Sequence, residues 1–224
     1  MVTEDIYEKV TKYLEEEKIL FIKVPVIQYA QITKDYWKNN TNLLTASKLN
    51  IFNLTQFDKV VYVDADAIFL KNTDTLFNYP NMAMYDANDG THTGFSGLFV
   101  CEPKLHDIET YLELLNNTTY PMLDGDLLGQ EWSKFKTDSN YRIPFTYFIN
   151  TTWEDLDEAK KYDKLIGFHF CYHYKPWNYI SLEEFLKDYT KELKHYSKLR
   201  EIIVQFYIDD YTLPIRNKYP ELFQ

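Results

Sequence analysis

Cysteine, glycine and positive charge are all scarce in this chain, and each scarcity excludes something. Two cysteines, Cys101 and Cys171, among 224 residues cannot build the disulfide framework of a small secreted domain; they fit a reducing, cytoplasmic compartment. Six glycines rule out collagen-like and glycine-rich linker compositions. Lysine and arginine number 24 against 34 aspartates and glutamates, a net charge of −10, which disfavours nucleic acid or an anionic membrane as the main partner. No signal pattern opens the chain. Its most apolar early run, ILFIKVPVI (19–27), is too short to span a bilayer and holds Lys23. The chain is 45% hydrophobic and long enough for a real core. No repeat, linker or low-complexity stretch divides it, so one domain over residues 1–224 is expected. The acidity sets a condition: a phosphate ester could bind only where a metal or local lysines supply the cation.

Helix-like and strand-like stretches alternate. EDIYEKVTKYLEEEK (4–18) carries Ile6, Val10 and Leu14 on one face and reads as an amphipathic helix, with no strand before it. ILFIKVPVI follows as a strand, TNLLTASKLNIFNLTQ (41–56) as a second helix, and KVVYVD (59–64) as a short strand of the kind buried on both faces of a parallel sheet. FSGLFVCE (95–102) reads as a strand, KLHDIETYLELLNN (104–117) and LLGQEWSKF (127–135) as helices, KLIGFHF (164–170) as a strand and KPWNYI (175–180) as a loop. SLEEFLKDYTKELKHYSKL (181–199) is a long amphipathic helix with Ser181 as its N-cap. The alternation predicts an α/β fold with a mostly parallel central sheet flanked by helices.

Four stretches carry candidate chemistry. In YVDADAIFLKN (62–72), Asp64 and Asp66 flank one alanine at the carboxyl end of an apolar strand, where open α/β sheets bind ligands. Two carboxylates about 4 Å apart repel by roughly 4 kcal/mol at an effective dielectric near 20. Either both are solvated loop residues or a divalent cation such as Mn²⁺ or Mg²⁺ offsets the repulsion. GFHFCYHYKPW (167–177) places His169, Cys171 and His173 on one face if extended. A zinc site there lacks a nearby fourth ligand, and a strand with core or rim side chains is the plainer alternative. Lys175 precedes Pro176, so a stiff backbone carries its charge. In TGFSGLFV (93–100), Ser96 and Gly97 open an apolar strand and allow close backbone approach. In MLDGDLLGQ (122–130), Asp124 and Asp126 sit ahead of a helix, where N-capping is one reading and chemistry the other.

Together these blocks resemble glycogenin and its relatives in retaining glycosyltransferase family 8. The resemblance runs collinearly through KLNIFNLTQFDKVVYVDADAIFLKNTDTLF (48–77), SGLFVCEP (96–103), the DxxLL turn (124–128), IPF (143–145) and HF followed by KPWNY (169–179). It covers about four-fifths of the chain, and its lysine-to-DxD and HFxxxxKPW blocks are far more specific than DxD alone. It implies a single GT-A-type nucleotide-sugar-binding domain and transfer of a hexose, glucose above all, from a UDP-sugar to a carbohydrate or protein hydroxyl. It further implies Mn²⁺ held by Asp64, Asp66 and His169, Lys175 neutralising the departing UDP, and Lys48 near the diphosphate. Ala65 would meet the ribose through its backbone, Ser96 and Gly97 would line the sugar, Asp124 would lie near the anomeric carbon, and Asp86 would be a further sugar contact.

The sequence departs from the family pattern on the sugar side. Phe95 stands where the family has Asn, Gly125 where it has Gln, and Tyr172 where it has Gly, which predicts altered sugar or acceptor choice, or slowed chemistry. TTWEDLDEAKKYD (151–163) replaces the segment bearing the family's self-glucosylated tyrosine. The family's opening strand, helix and strand are missing, so the expected domain is shortened at its N-terminus. A fragment, or a sheet edge covered by a second copy or another subunit, and weakened uridine selectivity are the corresponding expectations. Two other classes compete with a transferase: a nucleotide-sugar-binding homologue without transfer, and an aspartate-nucleophile phosphohydrolase with IDDY (208–211) as a second acidic pair. The latter leaves HF…KPW unexplained.

Overall fold

The computed structural model describes residues 1–38, 41–86, 94–131, 133–150, 166–170, 175–192 and 204–223. The residues at 151–163 and the Cys171, Tyr172 and His173 positions therefore lie outside the described residues, as does the end of the helix expected over 181–199. The chain forms two compact units. Unit 1 joins Met1–Val63 to Asp74–Ile143, and unit 2 joins Asp64–Thr73 to Pro144–Gln224.

Unit 1 opens with strand β1 (Val2–Thr3), helix α1 (Glu4–Glu16) and strand β2 (Lys23–Val24), with β1 and β2 parallel. A strand does precede the first helix, contrary to the sequence reading. It pairs over two residues only, with the Val2 N–H donating to the Ile22 carbonyl at 2.8 Å, too short to leave a period-two pattern. The strand expected over 19–27 contracts to β2 for the same reason. Helix α2 (Gln31–Tyr36) follows, and Thr41–Asn53 forms a 3-10 helix. That element carries Leu49 and Phe52 into the core beside helix α3 (Leu105–Asn117), where the rings of Phe52 and Tyr111 lie 5.0 Å apart.

The main sheet of unit 1 has the order β3 (Val60–Val63), β6 (Gly94–Cys101), β5 (Met84–Asp86), β7 (Arg142–Ile143). Strand β3 stands at one end of that order and is half-buried throughout, so it is not the doubly covered strand its sequence suggested. The buried run is Leu98–Cys101 of β6. Strand β6 runs antiparallel to both β3 and β5, while β5 and β7 are parallel. The α/β class is thus found, with a more mixed sheet than the apolar run at 60–63 suggested. Helix α4 (Asp124–Glu131) begins at the first residue of what read as a turn, and α5 (Ser133–Thr137) follows.

Unit 2 holds a three-stranded sheet in the order β4 (Ala67–Phe69), β9 (Gly167–His169), β8 (Ile149–Asn150), antiparallel between β4 and β9 and parallel between β8 and β9. Phe168, Phe170, Phe185, Val204 and Ile208 form its core. Helix α6 (Leu182–Glu192) starts as expected: the Ser181 hydroxyl accepts from the Glu184 N–H at 3.2 Å, an N-cap bond, and the Glu184 carboxylate accepts from the Ile180 N–H one residue before the cap at 2.9 Å. The stretch read as a KPWNYI loop contains a 3-10 turn at Pro176–Asn178 with proline at its start, a position where the missing N–H costs nothing. Helical residues 204–207 lead into a π-helical turn at Ile208–Thr212 and helix α7 (Leu213–Lys218). Among the described residues, no helix is long and apolar enough to cross a membrane.

Candidate functional site

In unit 2, Asp64, Ala65 and Asp66 form the turn leading into β4. Pairing of Ala67 with His169 sets the histidine beside that turn, and the Phe170 N–H donates to the Asp66 carbonyl at 2.8 Å, extending the ladder past the strand end. Three residue pairs and that further bond therefore join two segments about a hundred residues apart. His169 Nε2 lies 2.9 Å from Asp66 Oδ1 and 3.8 Å from Asp64 Oδ2, and one ligand atom from each of the three residues falls within 4.8 Å of the others. The imidazole is buried and stacks on Phe148, ring centroids 4.4 Å apart at 20°. Both carboxylates keep part of their surface open.

Lys175 completes this cluster. Its backbone is extended (φ −94°, ψ 127°) ahead of Pro176, as the proline ring requires of its predecessor. Its ammonium donates to Asp66 Oδ2 and to the Phe170 carbonyl. Burial works to raise the Asp66 carboxyl, but hydrogen bonding and charge from His169 and then Lys175 outweigh it and hold it at about 2. Asp66 is thus an anion at any physiological pH. Two carboxylates and one imidazole nitrogen, converging from a turn and an adjacent strand, form a group that could hold a metal ion.

Unit 1 gathers a second set. Between Met84–Phe99 and Tyr85–Phe95 the register of β5 on β6 shifts, leaving Ser96, Gly97 and Leu98 in a bulge. Bulges re-aim side chains, and here the Ser96 hydroxyl donates to Asp124 Oδ2 at 2.5 Å. Lys48 Nζ stands 2.6 Å from the same oxygen and 5.2 Å from the centre of the Tyr62 ring. On the other side of the carboxylate, the Thr45 hydroxyl donates to Oδ1 at 2.6 Å, and the Tyr29 hydroxyl lies 3.0 Å from Oδ1. The Asp124 N–H donates to the Tyr29 oxygen at 2.8 Å, tying down the first residue of α4. Burial pushes the Asp124 carboxyl up, and the Lys48 charge with bonds from Lys48, Ser96 and Thr45 overcomes it, holding it at about 2. Burial and the neighbouring Asp124 push the Tyr29 phenol up.

The residues singled out in the sequence fall into these two sets: Asp64, Asp66, His169 and Lys175 within unit 2, and Lys48, Ser96 and Asp124 within unit 1. Ala65 is exposed at its turn, Gly97 follows Ser96 in the bulge, and Asp86 ends β5 opposite Gly94. Phe95, the residue in place of an amide, packs edge-on to Tyr85 with ring centroids 6.1 Å apart. A Cβ at Gly125 would meet Ser96 Oγ at 3.7 Å, an ordinary contact, so a larger residue could stand there. Sequence reading missed Tyr29, Thr45 and Phe148. Nothing local marks them, although Thr45 precedes Lys48 by one helical turn.

This α/β chain thus carries a convergent carboxylate–imidazole group that could hold a metal ion, with a lysine bonded to one of its carboxylates. Comparison with known proteins narrows this to a sequence relationship. No protein-family profile matches the chain. It is 31% identical to glycogenin-2 of Homo sapiens over 145 residues, 61% of this chain and 28% of that protein. It is 32% identical to glycogenin-1 of Mus musculus over 144 residues, 61% of this chain and 42% of that protein. Its structure overlays on the glycosyltransferase GlyE of Streptococcus pneumoniae with a TM-score of 0.49 and 13% identity, over 99% of this chain and 63% of that one. The chain resembles the glycogenins, and it spans less than half the length of the two to which it is compared.

Proposed function

We propose that this chain is a retaining glycosyltransferase that moves a hexose, glucose first among candidates, from a UDP-sugar to an acceptor hydroxyl with Mn²⁺ bound. The observation that carries the reading is the convergence of Asp64, Asp66 and His169 within 4.8 Å, with Lys175 bonded to Asp66. Asp64, Asp66 and His169 would hold the metal, which when bound supplies positive charge to a diphosphate and its developing negative charge. A diphosphate cannot settle into a chain of net charge −10 without such local cations. Lys175, which already serves one carboxylate and one carbonyl, offers an ammonium that can exchange Asp66 for a departing phosphate oxygen. That exchange places fixed charge where it builds up, the largest kind of catalytic contribution.

On the sugar, the sequence resemblance assigns Ser96 and Asp124. With its carboxyl held well below the usual carboxylate range by Lys48, Ser96 and Thr45, Asp124 is an anion at neutral pH. It can stabilise positive charge at an anomeric carbon or attack it, and it is too weak a base to remove a proton. Either retention by same-face attack or a covalent sugar on Asp124 is compatible with that state. The deciding assay is UDP-glucose hydrolysis and transfer with and without Mn²⁺, beside Asp66→Ala. Turnover that needs Mn²⁺ and is lost in the variant supports the reading; equal activity in both proteins removes the metal assignment.

A second reading has its own observation. Both Asp124 oxygens are already engaged, by Lys48 and Ser96 on one side and by Thr45 and Tyr29 on the other. A carboxylate so fully bonded suits a structural role, and the chain would then bind a nucleotide sugar without transferring it. Calorimetry with UDP and Mn²⁺ separates the two: binding without turnover favours this second reading.

A further inference from the structure

The described segments 166–170 and 175–192 bring His169 and Lys175 to Asp66 from two directions, and something must hold both segments in register. Behind the polar cluster, three aromatic rings close a triangle. Phe170, the neighbour of His169, and Trp177, two residues beyond Lys175, lie 6.4 Å apart at 85°. Tyr207 reaches both, with centroids 5.1 Å from Phe170 at 74° and 5.8 Å from Trp177 at 50°. Edge-to-face and tilted packing at these distances is the favoured geometry for aromatic rings. The Lys175 ammonium in turn lies 5.8 Å from the Trp177 ring centre.

The element that presents Tyr207 is unusual. The helical residues 204–207 pass at once into the π-helical turn Ile208–Thr212. Such turns are rare and concentrate at functional sites, because the added residue shifts the phase of the helix that follows. After the shift, the Tyr211 ring backs Tyr207 at 5.2 Å, and Arg216 Nη2 donates to the Trp177 carbonyl at 2.8 Å. One helical segment thus grips the Lys175–Trp177 stretch from both its ring and its backbone, while the same tyrosine packs on Phe170. Ile208 and Thr212 are buried, which anchors the segment itself.

We propose that Tyr207 is a positioning residue for the cation cluster: its ring locks Phe170 against Trp177 and so fixes His169 and Lys175 around Asp66. The inference rests on the cation-binding reading above and extends it to a part of the chain that reading did not use. The ring carries the role, since what Tyr207 joins are two other rings. Groups that orient metal ligands from outside commonly alter metal affinity by about 10–100-fold when removed.

The test is titration of Mn²⁺ into the full chain, followed by the electron paramagnetic resonance signal of free Mn²⁺, for the wild type and for Tyr207→Phe, Tyr207→Leu and Tyr207→Ala. Tyr207→Phe keeps the ring and is expected to bind Mn²⁺ as the wild type does. Tyr207→Leu keeps apolar bulk without a flat ring and is expected to weaken Mn²⁺ binding about tenfold while its circular dichroism stays native. Tyr207→Ala is expected to weaken it at least as much; should it not fold, the Leu and Phe variants decide. A folded Tyr207→Leu that binds Mn²⁺ with unchanged affinity overturns the inference, and so does a Tyr207→Phe as weak as Tyr207→Leu. A wild-type chain that takes up no Mn²⁺ overturns the cation reading and this inference together, which distinguishes the two failures.

Discussion

His169 Nε2 lies 2.9 Å from Oδ1 of Asp66, and the two residues are 103 positions apart in the chain. The contact exists because β4 and β9 pair antiparallel with Ala67 opposite His169, so the register of three residue pairs decides whether a cation centre forms. A one-residue slip of that pairing would turn His169 to the opposite face. The consequences of that register can be measured.

Asp66→Ala removes the residue that faces both His169 and Lys175. Wild-type chain saturated with Mn²⁺ and UDP should melt higher than the free chain. At about one hundred times Kd the stabilisation is about 2.7 kcal/mol, roughly 5–10 °C in Tm for a chain of this size. The variant should show no such shift under the same conditions in differential scanning fluorimetry. An equal shift in both proteins would mean that the ligands bind elsewhere.

Lys48→Met leaves Asp124 as a buried carboxylate without its counter-charge. Both side chains are at least nine-tenths buried, and breaking such a pair on one side costs about 3–5 kcal/mol. Urea unfolding should show a loss of that order, and Lys48→Met combined with Asp124→Asn should recover part of it, because the orphaned charge is gone. A single-variant loss below about 1 kcal/mol would show that the hydroxyls of Ser96, Thr45 and Tyr29 suffice alone.

The same carboxylate predicts a pH dependence. The folded Asp124 carboxyl is held at about 2 against an ordinary value of 3.8, so the unfolded chain takes up its proton first. Its stabilisation, about 2 kcal/mol by linkage, is present above pH 4 and disappears as pH falls from there through about 2. The difference in unfolding free energy between the wild type and Asp124→Asn should therefore narrow over that window and stay level between pH 5 and 7. A difference that is flat throughout would place the carboxyl at its ordinary value.

Burial sets the chemistry of Cys101 as well. Desolvation, followed by the charges of Asp107 and Glu102, pushes its thiol up to about 12, and the side chain is fully buried in β6. With Cys171 replaced by Ser, the native chain should resist iodoacetamide at pH 8 and label only after unfolding in guanidinium, as mass spectrometry would record. Labelling of the native chain at the rate of a free thiol would show that β6 opens locally.

How much of this was legible in the sequence depended on range. Asp64 and Asp66 announced themselves by spacing, and Lys175 by the proline after it, because both signals are local. The three-residue β4 went unread, since Ala67–Phe69 is too short for alternation to appear. Tyr29 and Thr45 went unread for a different reason. Their roles exist only through Asp124, 95 and 79 residues away, and no periodicity encodes such a pairing. The 3-10 winding of residues 41–53 was also out of reach, because residues 46–52 are buried all round, polar and apolar alike, and leave no one-sided stripe to tell three- from 3.6-residue turns. Conversely, the α/β alternation and the capped start of α6 were fully local and were read correctly.

Gly167 offers the sharpest test of how β9 holds His169. A Cβ at this position would fall 2.1 Å from the Tyr147 carbonyl oxygen and 2.5 Å from the Phe69 ring. The carbonyl is backbone and cannot yield as a flexible side chain would, and the Phe69 ring belongs to the strand paired with Gly167. Gly167→Ala must therefore push β9 away from β4 or from the 145–147 turn, a cost at or above the upper end of the 1–3 kcal/mol typical of overpacking. Because His169 lies two residues along the same strand, the displacement should also weaken Mn²⁺ binding by at least about tenfold, comparable to loss of a supporting group. Gly129→Ala, where an added Cβ meets nothing within 4 Å, should be neutral or slightly stabilising in its helix. Paired thermal melts and Mn²⁺ titrations of the two variants would check this. Equal behaviour of both would mean that the strand has room to shift, and that His169 is not fixed by the backbone contacts around Gly167.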